Sequence, residues 1–109
     1  MTGHAEFHTD VVTPSAWDRR RPIARSIIEV RVRQSLWVTG TVGETTSTTF
    51  FGRPALRCQL DDGSGRIGLL FLGRSRVAGI EDGRRCTIKG TARGSGAGLV
   101  VGNPQFQIE

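Results

Sequence analysis

The chain has no uninterrupted apolar stretch near the roughly 18 residues that a membrane-crossing helix needs, so no such helix is expected. Its start, Met1-Thr2-Gly3-His4-Ala5-Glu6, lacks the basic beginning and apolar middle of a secretory signal, and a cytoplasmic location is expected. Cysteine is scarce. Cys58 and Cys86 form neither a metal-type spacing nor a CxxC pair, and both fall on inward positions of expected strands, where reduced core thiols belong. The two histidines, His4 and His8, sit together near the N-terminus without a third ligand, so no metal site is expected. No serine or cysteine has a base partner near it. Gly94-Ser95-Gly96-Ala97-Gly98 has strands on both sides rather than the strand-turn-helix setting of a nucleotide fingerprint. The reading is therefore not an enzyme, with no cofactor.

Lysine is nearly missing too. Of the 15 basic residues all but Lys89 are arginine, against 10 acidic ones, and the net charge is +5. Residues 1–21 carry Glu6, Asp10 and Asp18 against Arg19, Arg20 and Arg21, so the whole excess belongs to residues 22–109. Arginine forks onto phosphate and stacks on bases better than lysine does, so a polyanionic partner is implied.

Two regions follow from the pattern. Residues 1–21 are polar, hold Pro14 and show no convincing period, and read as a flexible tail ending in a basic run before Pro22. Residues 22–109 read as one domain. Ile23, Ile27, Ile28 and Val30 fit either a short helical turn or an extended lead-in. From Ser35 the spacing is that of a strand, with Leu36, Val38, Gly40 and Val42 inward and Trp37, Thr39 and Thr41 outward. Gly40 suggests a bulge or sharp bend. Gly43 to Pro54 reads as strand extensions flanking a long hairpin loop.

A second strand puts Leu56, Cys58 and Leu60 inward and Arg57 and Gln59 outward; Asp62-Gly63 then turns into a third. There Ile67, Leu69 and Phe71 point inward and Arg66, Gly68 and Leu70 outward. Gly73 to Asp82 is too short for a full helix, though Val77 and Ile80 suit a plug at one end. The fourth strand runs from about Arg85 to Ala92. The last comprises Leu99-Val100-Val101 and Phe106-Gln107-Ile108, interrupted at Asn103-Pro104. Five short strands with one longer gap between the third and fourth give an all-β, five-stranded Greek-key OB-fold barrel. Closure follows because so short a sheet cannot bury its inner face while flat.

Trp37-Val38-Thr39-Gly40-Thr41-Val42 resembles the first strand of OB domains in class II tRNA synthetase anticodon-binding modules and in the wedge domain of a branch-migrating DNA helicase. Asp62-Gly63-Ser64-Gly65-Arg66-Ile67-Gly68-Leu69 looks like the hairpin between strands two and three of the same superfamily. Residues 70–80, Gly83-Arg84-Arg85 and Asn103-Pro104-Gln105-Phe106 are similar to small stand-alone actinobacterial OB-fold proteins, which are labelled nucleic-acid-binding by fold. The likeness spans roughly residues 27–108 and implies nucleic-acid binding; residues 1–21 depart from the acidic, helical leader of those proteins.

OB barrels that hold single strands use the outer face of strands two and three, bordered by the loops joining strands one to two and four to five. The residues expected there are Trp37, Thr39, Arg57, Gln59, Arg66 and Gly68, with Phe50, Phe51 and Arg53 from the first loop and Arg93 from the second. Such a face stacks unpaired bases on aromatic rings and neutralises phosphates with arginine. It suits DNA and RNA alike, because the discriminating contact is to a ribose hydroxyl. The alternative is a protein-interaction or self-association module using the same face; the pattern does not fix an oligomeric state.

Overall fold

The computed structural model describes residues 23–109 apart from residue 97; the polar 1–21 segment, with His4 and His8, lies outside the described residues. Six strands follow one another: β1 (Ser35–Phe50), β2 (Arg53–Asp61), β3 (Arg66–Leu72), β4 (Arg85–Ser95), β5 (Gly98–Gly102) and β6 (Gln105–Ile108). No α-helix occurs among the described residues; the lead-in makes only a 3-10 turn at Ile27–Glu29. The strand order β1-β2-β3-β5-β4, with β4 returning to β1, closes the sheet into a ring, and β6 pairs with β4 along the edge opposite β1. All neighbours are antiparallel except β3 and β5.

Alternation along each strand builds the interior. Leu36, Val38, Leu60, Ile67, Leu69, Ile88 and Val101 are almost wholly enclosed, each burial contributing about 1.5–3 kcal/mol. Val77 and Ile80 close one end from a turn rather than a helix. Cys58 and Cys86 are free and buried, and burial pushes their thiols up to about 12 and about 11, which makes them inert packing groups.

β1 serves two partners: it pairs with β4 from Ser35 to Thr41 and with β2 from Thr41 to Phe50. Of the bulge or sharp bend expected at Gly40, there is no bulge: the glycine stands at the corner where the strand changes partner. A Cβ there would lie 2.6 Å from the Asp61 carbonyl oxygen, so glycine is what lets β2 approach. The bulge comes later, where Glu44 and Thr45 together stand opposite Cys58.

The expected long loop between the first two strands is absent. The threonine-rich run stays paired with β2 up to Phe50, and only Phe51 and Gly52 turn, both with positive φ (52° and 76°). β-branched threonines favour the extended backbone even where the side chains are exposed; β3 flanks β2 as far as Ala55, opposite Thr48, and only the tip from Thr49 to Pro54 extends beyond it as a two-stranded arm. At the other end of the chain, the last strand, expected to be interrupted at Asn103-Pro104, divides there into β5 and β6. Asn103, at φ 47°, steps aside to accept the Leu72 N–H through its side chain (2.9 Å), while its own N–H donates to the Leu70 carbonyl (2.7 Å).

Candidate functional site

Cross-strand register decides which side chains share a face. One outward row runs Gly43, Gln59, Gly68, Val100, Arg93 across β1, β2, β3, β5 and β4. Beside it lies Thr46, Arg57, Leu70 and Gly102, and on the other flank Thr41, Asp61 and Arg66. The register thus brings Arg57, Gln59, Arg66 and Gly68 onto the β2–β3 surface, while Arg93 stands on β4 beyond Val100 of β5, at its far border. A groove of about 360 Å³ is sunk into this surface, lined by Glu44, Thr46, Arg57, Gln59, Arg66, Gly68 and the Gly98–Val100 edge of β5. A second hollow of about 530 Å³ shares Glu44, Gln59 and Arg66 and continues toward Thr41, Asp61 and Arg85. Gly68 keeps the floor low: a methyl there would fill space beside Val100, 3.4 Å from its Cγ2.

The charges on this surface are unevenly engaged. Arg66 donates from Nε to the Asp61 carboxylate (3.2 Å), and its Nη1 lies 3.7 Å from Glu44. Arg85 is tied to Glu109 and Arg84 to Glu81. Asp82 accepts the Thr45 N–H at 2.9 Å. Asp62 is spent inside the fold. Its carboxylate accepts the Ile27 N–H (2.9 Å), the Ser64 N–H (2.8 Å) and the Ser64 hydroxyl (2.7 Å), which pins the lead-in to the β2–β3 turn. Partial burial pushes that carboxyl up, but the bonds from Ser64, Ile27 and Gly65 outweigh it and hold Asp62 below the ordinary carboxylate range. Among the described acidic residues only Glu29 makes no side-chain bond or ion pair. By contrast Arg53, Arg57 and Arg93 have no carboxylate partner among the described residues.

The same face continues to the tip of the arm. Arg57 pairs with Thr46, Ala55 with Thr48, and Arg53 with Phe50, all on one side of the hairpin. Phe50 is 41% exposed and Phe51 91%, their rings edge-to-face with centroids 4.6 Å apart. Phe51 holds a left-handed backbone that costs a residue other than glycine about 1–2 kcal/mol. Phe51 is thus a bulky apolar residue exposed to solvent at a strained backbone position.

Trp37 and Thr39 stand apart from this groove. Trp37 belongs to the row formed with Lys89 and Gln105 across β4 and β6. Its ring has the Arg25 guanidinium 5.2 Å and the Lys89 ammonium 5.1 Å from the centroid, and the Trp37 backbone N–H donates to the Ala24 carbonyl of the lead-in (2.9 Å). The Thr39 hydroxyl is bonded to that of Thr87 at 2.6 Å. Both side chains point outward, as the alternation requires, but they occupy the β1–β4–β6 side of the ring. Sequence reasoning missed Glu44. Its only sign was the Gly43-Glu44 step where the alternating run gives way to a polar one.

A closed order of five strands with a parallel third and fifth defines an OB-like fold. No protein-family model matches the chain, and no curated protein does. Among solved structures it is similar to part of the chain in "Structure of RecG bound to three-way DNA junction", with TM-score 0.62 and 15% identity over 82% of this chain. The match takes in 12% of that RecG chain, and at this identity the likeness is one of fold. No helix among the described residues is long and apolar enough to cross a membrane, and no cluster of three or more metal-ligating side chains occurs among them.

Proposed function

We propose that this domain is a Greek-key OB barrel that binds single-stranded nucleic acid, without doing chemistry on it, along the outer face of β2 and β3 and out along the arm. One observation carries the reading. Asp61 and Asp62 beside this face are held in internal hydrogen bonds and Glu44 has only a loose contact with Arg66, whereas Arg53, Arg57 and Arg93 are exposed and have no carboxylate partner among the described residues. An arginine without a carboxylate partner has no ion pair to break before it turns onto phosphate, and each such contact releases condensed counterions. Gly68 leaves room for a base to approach the sheet, and Phe50 and Phe51 offer stacking platforms at the arm's end. That a RecG chain bound to a three-way DNA junction contains the same fold supports a nucleic-acid ligand in general. The assignment of roles to Arg53, Arg57, Gln59, Arg66, Gly68, Arg93, Phe50 and Phe51, and the cytoplasmic location, belong to the same proposal.

The test is fluorescence anisotropy with a labelled single-stranded oligonucleotide across a salt series. Three arginine–phosphate contacts predict a slope of log K against log salt of about −2. A slope near zero would remove the arginine track. A second reading has its own observation: the outer edge of β1 from Thr46 to Phe50 carries no charge, no proline and no further bulge, which is the form of edge that accepts another strand. A protein seated there would be indifferent to salt, and the same titration separates the two readings.

A further inference from the structure

Glu44 is out of place in a cationic groove. It lines both hollows, and it sits at φ 55° in the bulge, where glycine or asparagine would be easier. A carboxylate facing a phosphate track repels it, so the backbone of a bound strand is kept toward Arg57 and Arg93, and what enters at Glu44 is a base. The pair it forms with Arg66 is also unfinished. At 3.7 Å the Oε2–Nη1 separation is longer than a hydrogen bond, both side chains are about two-thirds exposed, and the Glu44 carboxylate accepts no hydrogen bond from the described residues. Arg66 itself is fixed from behind, its Nε held by Asp61, whose other oxygen accepts the Gly63 N–H at 2.8 Å. The result is an acceptor and a donor group side by side, steadied at one end and open to the groove.

We infer that the Glu44–Arg66 pair reads guanine in the bound strand. The base-pairing edge of guanine presents an N1–H and an N2 amino group, two adjacent donors that a carboxylate accepts as a fork. Beside them O6 is an acceptor for a guanidinium N–H. Adenine offers one donor and no carbonyl, and cytosine a single amino group followed by two acceptors, so each leaves one member of the pair unmatched. Uracil and thymine offer one donor between two acceptors. Unmatched polar groups in a partly desolvated groove are the source of the discrimination. The inference rests on the nucleic-acid reading and narrows it from sequence-tolerant binding to a base preference at one position; Glu44 and Arg66 are its specificity residues and Asp61 a positioning residue.

The experiment uses the full chain and labelled oligo(dT) carrying one central dG, deoxyinosine, dA or dC, with anisotropy read at constant salt. Deoxyinosine keeps N1–H and O6 and lacks only the N2 amino group. The dG oligonucleotide is expected to bind about tenfold more tightly than the deoxyinosine and dA ones, within the range of a bidentate base contact. Glu44→Gln, at an exposed position, should bring the dG-to-deoxyinosine ratio measured within the variant close to one and raise its affinity for plain oligo(dT), since a repelling charge is gone. Equal binding of dG and deoxyinosine by the wild-type chain, or a preference that survives Glu44→Gln, overturns the guanine assignment alone. Absence of binding to every oligonucleotide at low salt overturns the nucleic-acid reading and this inference with it.

Discussion

The outer surface of the ring has two halves built by the same alternation and put to different uses. On the β2–β3 half, side chains pointing away from the core meet water: Arg57 is exposed, Gly68 leaves a low floor, and the adjoining arm ends in two open rings. On the β1–β4–β6 half the outward side chains are engaged. Trp37 lies against Arg25 of the lead-in, and Thr39 is bonded to Thr87 across the strands. Period two determines which side chains leave the core, but whether they reach solvent depends on what the rest of the chain lays over them. A surface becomes available for a ligand only where nothing else has claimed it.

The comparison can be broken most forcefully at Trp37. Trp37→Ala is expected to lower stability by about 2–3 kcal/mol, through lost packing and cation–π contacts beneath the lead-in, while oligonucleotide affinity stays within a factor of two. Urea denaturation with parallel anisotropy checks both; the reverse outcome would move the site to that half. At the arm's tip the opposite split is expected. Phe51→Gly relieves a left-handed φ and forfeits the ring pair, so stability holds within about 1 kcal/mol, whereas binding loses about 1–3 kcal/mol of stacking.

A smaller effect concerns the lead-in that covers the Trp37 half. The bonds holding Asp62 below its ordinary value near 3.8 exist only in the folded chain. Their stabilisation is therefore fully present above that value and is lost as pH falls through the lower, folded one. Acid unfolding below about pH 4 should begin at higher pH in Asp62→Asn at the Ile27–Glu29 turn, and its stability should vary less with pH; identical acid profiles would show that Asp62 does not tie the segment down.

Much of the fold was legible because hydrophobic alternation and turn residues pointed the same way. The inward sets of the first three strands, the Asp62-Gly63 turn, the Asn103-Pro104 interruption and the Val77–Ile80 plug all appear where the pattern put them. The end of β1 was illegible as strand because Thr45 to Thr49 is polar on both faces and gives no alternation, and because phenylalanine at the first position of a two-residue turn is a poor turn signal. In the candidate site, register could be followed from sequence for Arg57, Gln59, Arg66 and Gly68. Trp37 could not be separated from them, since the change of partner at Thr41 is a property of closure rather than of local pattern. Glu44 was hidden for a related reason: the bulge that aims it depends on the pairing opposite Cys58.

Removing the same charge from each half is the most direct test. Arg57→Ala and Arg25→Ala take away one guanidinium apiece and leave equal net charge, one from the open groove and one from above Trp37. Binding of a single-stranded oligonucleotide at fixed salt should weaken about tenfold in Arg57→Ala and hardly change in Arg25→Ala. Equal losses in the two variants would mean that affinity follows overall charge, and the groove on β2 and β3 would no longer be the site.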